Sequence, residues 1–307
     1  MGGSSVSVIC RSNYDQVSKH GFTFRTRLWG DGTFVPQRVI HADSFTQANL
    51  TERYDYIVLA NKIKSKNDME QVIRGLRNIV RQDTVLVSTQ NGMGNERPLA
   101  LAFAKSTILS SVCNMSCSQP KPGFVEQTVA ITPRAFHLGI YSKGEHPISN
   151  SIESLESFAA IDPQFCAVPD VHGEKWQKLL FNTAWNSMTA IAGVDTHELL
   201  RSPASTKLVR QLAEEAYQIG IASGVSLAQS SPDDVIELAR RSKPIITSSL
   251  RDTRKGRKVE IYSITGESRS LKFSIPQTST NELQVTWLRK QTELASGRPT
   301  FSWLINV

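Results

Sequence analysis

The stretch KWQKLLFNTAWNSMTAIAG, from Lys175 to Gly193, places apolar residues at helical spacing around three polar residues that are four positions apart. At 3.6 residues per turn, Lys178, Asn182 and Asn186 lie along one face of the predicted helix. Asparagine is a poor helix former, because its short amide competes for backbone hydrogen bonds. The residues alone leave two interpretations open: a functional polar face, or a structural lysine with two packing amides.

The segments on either side of this helix differ in their hydrophobic period. After it come further helical patterns, LVRQLAEEAYQIGIASG and PDDVIELARRS, whereas the first half alternates short β-branched runs with amphipathic helices. Such alternation predicts an α/β domain whose mostly parallel sheet is covered on both faces. The period changes near residues 169–173, which predicts a Rossmann-like domain over 1–169 and an all-helical domain over 170–307. The predicted strands are VSVIC (6–10), YDYIVLANK (54–62), TVLVSTQ (84–90), ILSSVCNM (108–115) and AFHLGIYSK (135–143).

Ligand sites on parallel sheets collect at the carboxyl ends of the strands. In this sequence those ends are residues 11–13, 61–62 and 91–94, which read RSN, NK and NGMG. We therefore expect a binding site to include side chains from these three turns.

Composition limits the class of protein and of ligand. The chain has 307 residues, a net charge of +7 and no apolar run approaching the roughly 18 residues of a membrane span. Its basic residues concentrate in residues 239–260, which lack aromatic interleaving and match no nucleic-acid module. The run is typical of a solvated face or of a site for an anionic substrate or cofactor. We therefore expect no nucleic-acid partner and no membrane span.

The cysteines give no sign of a metal site or of a disulfide framework. Cys113 and Cys117 form a C-x3-C pattern, with no second pair and no nearby histidine to complete a zinc site. Scattered cysteines, together with an N-terminus that lacks the features of a secretory signal, favour a reducing, cytoplasmic setting.

Five motifs occur in an order that resembles the ketopantoate reductases (2-dehydropantoate 2-reductases). They are RSN after the first strand, a strand ending in NK, QNGMGNE, KLLFNTAWNSMTA and SSLRDTRKGRKVEIYSITG, and the similarity runs from about residue 5 to 282. The resemblance implies a Rossmann-type NADPH domain followed by a helical domain, and a small 2-oxo acid as substrate. It leaves a homodimer open.

The same resemblance assigns roles to individual residues. It implies that Lys178 is the general acid that protonates the keto oxygen, with a pKa lowered by partial burial, and that Glu260 is a carboxylate beside it. The implied substrate-binding residues are Asn182, Asn186, Thr196 and Ser248, and the implied cofactor-binding residues are Arg11, Lys62, Asn91 and Cys117. Arg11 would accept the adenosine 2′-phosphate, which favours NADP over NAD.

The chain departs from the family pattern at its front. Family members begin with a strand and a G-x-G-x-x-G turn that holds the pyrophosphate, whereas Gly2 and Gly3 precede the strand VSVIC and cannot form that turn. By comparison with the general βαβ layout, roughly 25 to 30 residues are absent. The absent strand would lie at the centre of the sheet, so we expect its neighbours to lack backbone partners. A true start upstream would explain the difference as well as loss of function would.

Three functions follow from these patterns. The first is NADPH-dependent reduction of 2-dehydropantoate or a similar 2-oxo acid. The second is a catalytically silent relative that acts as a binding or interaction module, which the absent phosphate turn favours. The third is a related reductase of another keto compound, for which Thr196, where the family often has asparagine, and the altered C-terminus leave room.

Overall fold

The computed structural model describes residues 4–45, 52–141 and 150–260, together with Ile264. These residues form two compact units, and the last passage of the chain from the first unit to the second falls between Val171 and His172. The second unit also includes two short segments from the first half of the sequence, Lys62–Lys66 and Asn91–Gly94.

The first unit contains three groups of strands. A two-stranded parallel sheet pairs β1 with β4, and a five-stranded sheet has the order β11-β10-β7-β6-β5 with only the β7–β10 pair antiparallel. A four-stranded sheet has the order β3-β2-β9-β8. The strands are β1 Ser7–Cys10, β2 Phe22–Thr26, β3 Gly30–Phe34, β4 Arg38–His41, β5 Tyr56–Leu59, β6 Val85–Ser88, β7 Ile108–Cys113, β8 Met115–Lys121, β9 Phe124–Ala130, β10 Phe136–Ile140 and β11 Phe165–Ala167.

Helices cover the sheets of this unit. Strand β6 is buried along its whole length, as expected for a strand with neighbours on both edges and helices on both faces. Its valines pack with Leu109, Leu138 and Phe158 in one apolar core. The helices are α1 Tyr14–His20, a 3₁₀ turn Ala42–Ser44, α2 Lys66–Leu76, α3 Glu96–Ala102 and α4 Ser151–Ala159.

The described part of the second unit is helical. The helix Pro203–Ala222 packs against the segment that contains Trp185. The Trp185 indole donates a hydrogen bond to the Val235 carbonyl oxygen at 3.1 Å. The fully buried side chains of Leu180 and Leu212 belong to the same core. The helices are α5 Val171–Phe181, a π-helical turn Asn182–Asn186, α6 Ser187–Ala192, α7 Thr196–Leu200, α8 Pro203–Ala222, α9 Ser231–Arg241 and α10 Ser248–Arg254.

The structure confirms the predicted fold class, a parallel-sheet α/β domain followed by a helical domain. It corrects two details. The predicted continuous helix from Trp176 to Gly193 contains a π-helical turn, and the four-stranded sheet, most of whose pairs are antiparallel, was not predicted. None of the described helices is long and apolar enough to cross a membrane. The altered C-terminus, residues 266–280 and 300–307, lies outside the described residues.

The expected interruption of the parallel sheet is present. Within the described ranges, β1 has β4 as its only partner and β5 has β6 as its only partner, so one edge of each strand lacks a backbone partner. An apolar side chain on each strand is about half exposed, Ile9 at 46% and Val58 at 50%.

Candidate functional site

Lys178 contacts the turn that follows β6. Its Nζ donates a hydrogen bond to Oδ1 of Asn91 at 2.8 Å. Gly92 and Gly94 have φ values of 85° and 80°, a backbone region that glycine adopts without steric cost. Between them, Met93 is buried against Trp176 and Leu179 of α5. The two glycines and this apolar anchor fix the turn beside α5, so the Asn91 amide meets the lysine.

A second cluster joins one lysine to two buried carboxylates. Lys62 forms an ion pair with Asp252 and lies 3.6 Å from a carboxylate oxygen of Glu260. The Asp252 side chain is 10% exposed and that of Glu260 is 5% exposed. Burial raises the pKa of Glu260, the positive charge of Lys62 opposes this rise, and the negative charge of Asp252 adds to it. Two carboxylates therefore lie close to one ammonium group in this cluster.

Asn182 and Asn186 begin and end the π-helical turn, and both are buried, at 9% and 4% exposure. A π-helical turn is wider than an α-helical turn, because its hydrogen bonds run from i to i+5. The predicted alignment of Lys178, Asn182 and Asn186 on one α-helical face therefore needs correction from Asn182 onward. Such turns occur frequently at functional sites.

Two threonines connect this helix to α10. The hydroxyls of Thr189 and Thr247 lie 2.7 Å apart, and Thr189 also donates to the Trp185 carbonyl oxygen at 2.7 Å. Thr247 is the N-cap of α10, where its side chain accepts a hydrogen bond from the Leu250 amide. Ser248 follows this cap and is exposed. The link thus holds the helix with the asparagines beside the helix with Ser248 and Asp252.

Thr196 is fully buried, and its hydroxyl accepts a hydrogen bond from the Ile245 amide at 3.0 Å. The Thr196 amide in turn donates to the Ile245 carbonyl oxygen at 3.3 Å. These bonds hold residue 245, three positions before α10, and so give the hydroxyl a structural role. The predicted contact of Thr196 with a substrate stays a prediction.

The remaining predicted cofactor residues, Arg11 and Cys117, belong to the first unit. Arg11 directly follows β1 and is exposed, and Cys117 is an exposed residue of β8. Next to Arg11, the Asn13 side chain accepts hydrogen bonds from Gln119 and from the Gly123 amide, at 2.8 and 3.2 Å. The RSN motif therefore also supports the turn between β8 and β9.

Asp252, Thr189 and Thr247 were not among the predicted site residues. A signal for Asp252 was present, because it lies one helical turn after Ser248 in SSLRDTR and is an acidic residue within a basic run. The sequence could not predict the contact between the Thr189 and Thr247 hydroxyls, because 58 positions separate the two residues.

The two clusters have the groups that carbonyl reduction requires. A half-buried ammonium beside an amide oxygen can donate a proton to a developing alkoxide and stabilise its charge. The Lys62 ammonium beside its two carboxylates offers hydrogen-bond donors to a ligand, and Ser248 supplies a hydroxyl donor.

Comparison with known proteins gives consistent results. A family model described as "Ketopantoate reductase PanE/ApbA" matches residues 2–143, and one described as "Ketopantoate reductase PanE/ApbA C terminal" matches residues 170–271. The 2-dehydropantoate 2-reductase of Nostoc sp. is 22% identical over 299 residues, which cover 96% of this chain and 89% of that protein.

Solved structures show the same fold. The 2-dehydropantoate 2-reductase of Methylococcus capsulatus superposes with a TM-score of 0.77 at 24% identity, covering 95% of this chain and 90% of that one. A D-mandelate dehydrogenase determined with NADH and anilino(oxo)acetate superposes with a TM-score of 0.80 at 15% identity, covering 96% and 93%.

Proposed function

Because the chain belongs to the ketopantoate reductase PanE/ApbA family, we propose that it reduces 2-dehydropantoate, or a similar 2-oxo acid, to the 2-hydroxy acid with a nicotinamide nucleotide. The observation that carries the proposal is the 2.8 Å hydrogen bond from Lys178 to Asn91, which fixes the direction of the Lys178 ammonium group. The π-helical turn that follows Lys178 carries two buried asparagines, Asn182 and Asn186. This combination matches the chemistry of a site that protonates a keto oxygen.

Lys178 is the proposed general acid. As the carbonyl carbon becomes tetrahedral, negative charge develops on its oxygen, and the ammonium donates a proton to that oxygen. The side-chain oxygen Oδ1 of Asn91 restrains the ammonium to one direction, which lowers the entropy lost when the reacting groups align. Asn182 and Asn186 are proposed to bind the hydroxyl and carboxylate oxygens of the substrate through their amides.

Lys62 and Ser248 are proposed to bind anionic or hydroxyl groups of the ligands, with Glu260 and Asp252 setting the position of Lys62. The buried carboxylates restrain the lysine, because leaving an ion-pair partner buried and alone is costly. Glu260 retains a proton to higher pH than an exposed glutamate, since burial raises its pKa.

The proposed cofactor is NADPH, which supplies the hydride when bound. Arg11 offers an exposed guanidinium after β1 for a 2′-phosphate. Lys62 and Asn91 follow adjacent parallel strands and are proposed to bind the nicotinamide end. The described residues contain no G-x-G-x-x-G turn between a strand and a helix. The chain is therefore expected to hold the pyrophosphate poorly by itself. The homodimer and the cytoplasmic location stay predictions.

The test uses the chain fused behind a strand–turn–helix segment that carries the G-x-G-x-x-G pattern. We expect oxidation of NADPH, followed by its absorbance, when 2-dehydropantoate is added. No turnover with any 2-oxo acid, in a fused chain that binds NADPH, would contradict the proposal and support a silent relative.

A second candidate substrate class is aryl 2-oxo acids, which the similarity in fold to a D-mandelate dehydrogenase favours. The same fused chain distinguishes the two, because phenylglyoxylate lacks the branched hydroxyalkyl group of 2-dehydropantoate. A higher kcat/KM for phenylglyoxylate would assign the chain to the aryl class.

A further inference from the structure

A half-buried histidine near the start of α7 contacts the segment that leads into α10. We infer that His197 is a positioning residue, which holds residues 242–247 in place and through them sets the position of Ser248, the first residue of α10. The inference rests on the proposed function, in which Ser248 binds a ligand. His197 acts through this segment and makes no contact with a ligand itself.

The imidazole of His197 joins two backbone oxygens at the end of α9. Its Nε2 lies 3.2 Å from the Ala239 carbonyl oxygen and 2.9 Å from that of Ser242. A carbonyl oxygen can only accept a hydrogen bond, so Nε2 carries the hydrogen and donates to both oxygens. The last carbonyls of an α-helix have no partner within the helix, and His197 supplies one to Ala239. Because the Nε2 donor is used in this way, the role of the ring is to hold the backbone.

The residue before His197 holds the same segment three positions further on. The Thr196 hydroxyl accepts a hydrogen bond from the Ile245 amide at 3.0 Å, and the Thr196 amide donates to the Ile245 carbonyl oxygen at 3.3 Å. One residue of α7 therefore satisfies both backbone polar groups of Ile245. Two positions later, the hydroxyl of Thr247 lies 2.7 Å from that of Thr189.

These contacts anchor the connection between α9 and α10 at its first, fourth and last residues. The residues between the anchors, Lys243, Pro244 and Ile246, are exposed. Exposed side chains bury little apolar surface, so hydrogen bonds to the anchored residues, rather than packing of the residues between them, place this connection. Loss of the His197 donor would release the start of the connection and leave the position of Ser248 dependent on the two later anchors.

His197 is itself held by the helix to which it belongs. Asp195 is the N-cap of α7, and its carboxylate accepts hydrogen bonds from the amides of His197 and Glu198 at 2.9 and 3.1 Å. Leu199 of the same short helix belongs to the apolar core of the second unit. The ring of His197 is therefore attached to the core, and it can fix a segment whose own side chains are largely exposed.

The proposed role of Ser248 determines which kinetic constant should respond. Ser248 is proposed to bind the ligand, whereas Lys178 is proposed to transfer the proton. A displaced Ser248 should weaken an interaction that is made before the transition state as well as in it, which raises KM and leaves kcat largely unchanged.

The first experiment needs no substrate and uses the unfused chain. Hydrogen exchange of residues 242–248 is compared between the parent and His197→Ala, with residues 176–181 of α5 as an internal reference. The substitution should speed exchange in 242–248 by about tenfold or more and leave the reference unchanged. Glu198→Ala is the matched control, because Glu198 is an exposed residue of the same helix whose side chain pairs with Arg201. It should leave both regions as in the parent.

The second experiment measures kcat and KM for 2-dehydropantoate in the fused chain. His197→Ala should raise KM about tenfold, the size expected for one lost hydrogen bond, and change kcat much less. His197→Gln retains a donor nitrogen at a similar distance from the backbone and should recover most of the loss. In a chain that already carries Ser248→Ala, His197→Ala should raise KM no further, because the hydroxyl that it displaces is absent.

Two results would overturn the inference while the proposed function stands: a parent-like KM in His197→Ala, or the same increase in KM with and without the Ser248 hydroxyl. If His197→Ala does not fold, His197→Gln is compared with His197→Asn, whose shorter side chain cannot reach both oxygens, and equal KM values would overturn the inference. Absence of turnover in the fused parent counts against the proposed function alone. Unchanged exchange in residues 242–248 would then still overturn the positioning role of His197.

Discussion

The hydroxyls of Thr189 and Thr247 are buried and lie 2.7 Å apart, which joins two helices that contribute to the candidate site. Thr189 follows the π-helical turn with Asn182 and Asn186, and Thr247 caps the helix with Asp252. Thr189 also donates to the Trp185 carbonyl oxygen and Thr247 also accepts from the Leu250 amide, so the contact between the two hydroxyls joins two locally bonded side chains. This link contributes to the spacing between the asparagines and Asp252.

Removing this bond should destabilise the helical unit. Thr189→Val keeps the side-chain shape but removes the hydroxyl, and should cost about 1–3 kcal/mol in the free energy of unfolding. Thr189→Ser, which retains a hydroxyl, should recover part of that loss. Urea denaturation measures both.

A double-mutant cycle isolates the pair. The losses for Thr189→Val and Thr247→Val should be less than additive in the double variant, because the second change removes a partner that is already lost. Thr253→Val removes a hydroxyl that bonds only within α10, to the Ser249 carbonyl oxygen, and should show no such coupling to Thr189→Val. Additive losses at positions 189 and 247 would show that the contact does not stabilise the fold.

The raised pKa of Glu260 predicts a pH-dependent stability difference. The buried site favours the protonated form of Glu260 over the ionised form. The resulting contribution to the free energy of unfolding is fully present at pH values below the pKa of Glu260 in the unfolded chain. That contribution is lost as the pH rises through the raised folded-state pKa. Glu260→Gln removes the buried charge and should therefore raise the melting temperature relative to the parent at neutral pH. The two proteins should converge at a pH below the ordinary value of 4.5.

Glu156→Gln provides the control for this comparison, since Glu156 is exposed on α4. The melting temperature of Glu156→Gln should equal that of the parent at every pH. A lower melting temperature of Glu260→Gln at neutral pH would mean that the attraction of Lys62 outweighs the cost of burial.

The sequence was most informative where local pattern and tertiary structure agree. Strand β6 was predicted from TVLVSTQ because a buried parallel strand is a continuous apolar run, and α9 from PDDVIELARRS because its apolar residues recur at helical period. The four-stranded sheet was missed because its strand β3, Gly30–Phe34, has mostly exposed residues and lacks an apolar face.

The candidate site was predictable in part for a related reason. The resemblance indicated Lys178, Lys62, Asn91 and Glu260, and the structure places Lys178 beside Asn91 and Lys62 beside Glu260. The π-helical turn was not predictable, because the spacing of four between polar residues is equally compatible with an α-helix.

Packing of the helical unit predicts where substitutions destabilise it. Leu180 is fully buried among Trp185, Leu212 and their neighbours, so Leu180→Ala should lower the free energy of unfolding by about 2–5 kcal/mol. Leu238, on α9, is 44% exposed, and Leu238→Ala should cost much less. Chemical denaturation followed by tryptophan fluorescence measures both. Equal losses would show that the Leu180 side chain is not part of the core.

The unfused chain should bind NADPH weakly. Arg11 can supply only one charge-assisted contact, and the described residues contain no G-x-G-x-x-G turn to hold a pyrophosphate. Calorimetric titration should show no binding below the high-micromolar range. A low-micromolar dissociation constant for the unfused chain would mean that another segment holds the phosphates.

The role of Lys178 is tested most directly in the fused chain. Lys178→Ala should lower kcat by about two to four decades, the range expected for loss of a general acid. The melting temperature should change little, because the Lys178 side chain is half-buried and polar whereas its neighbour Leu180 packs in the core. Asn182→Ala should act partly through KM, since an amide that binds the substrate contributes before the transition state as well as in it.

Lys207→Ala is the matched control for this last comparison, because Lys207 is an exposed lysine on α8 of the same unit. It should leave kcat and KM unchanged. Asn91→Ala should fall between the two variants, since it retains the ammonium but removes the oxygen that directs it. If Lys178→Ala turns over 2-dehydropantoate at the rate of the fused parent, the lysine is structural, and the hydrogen bond to Asn91 only anchors the turn that follows β6.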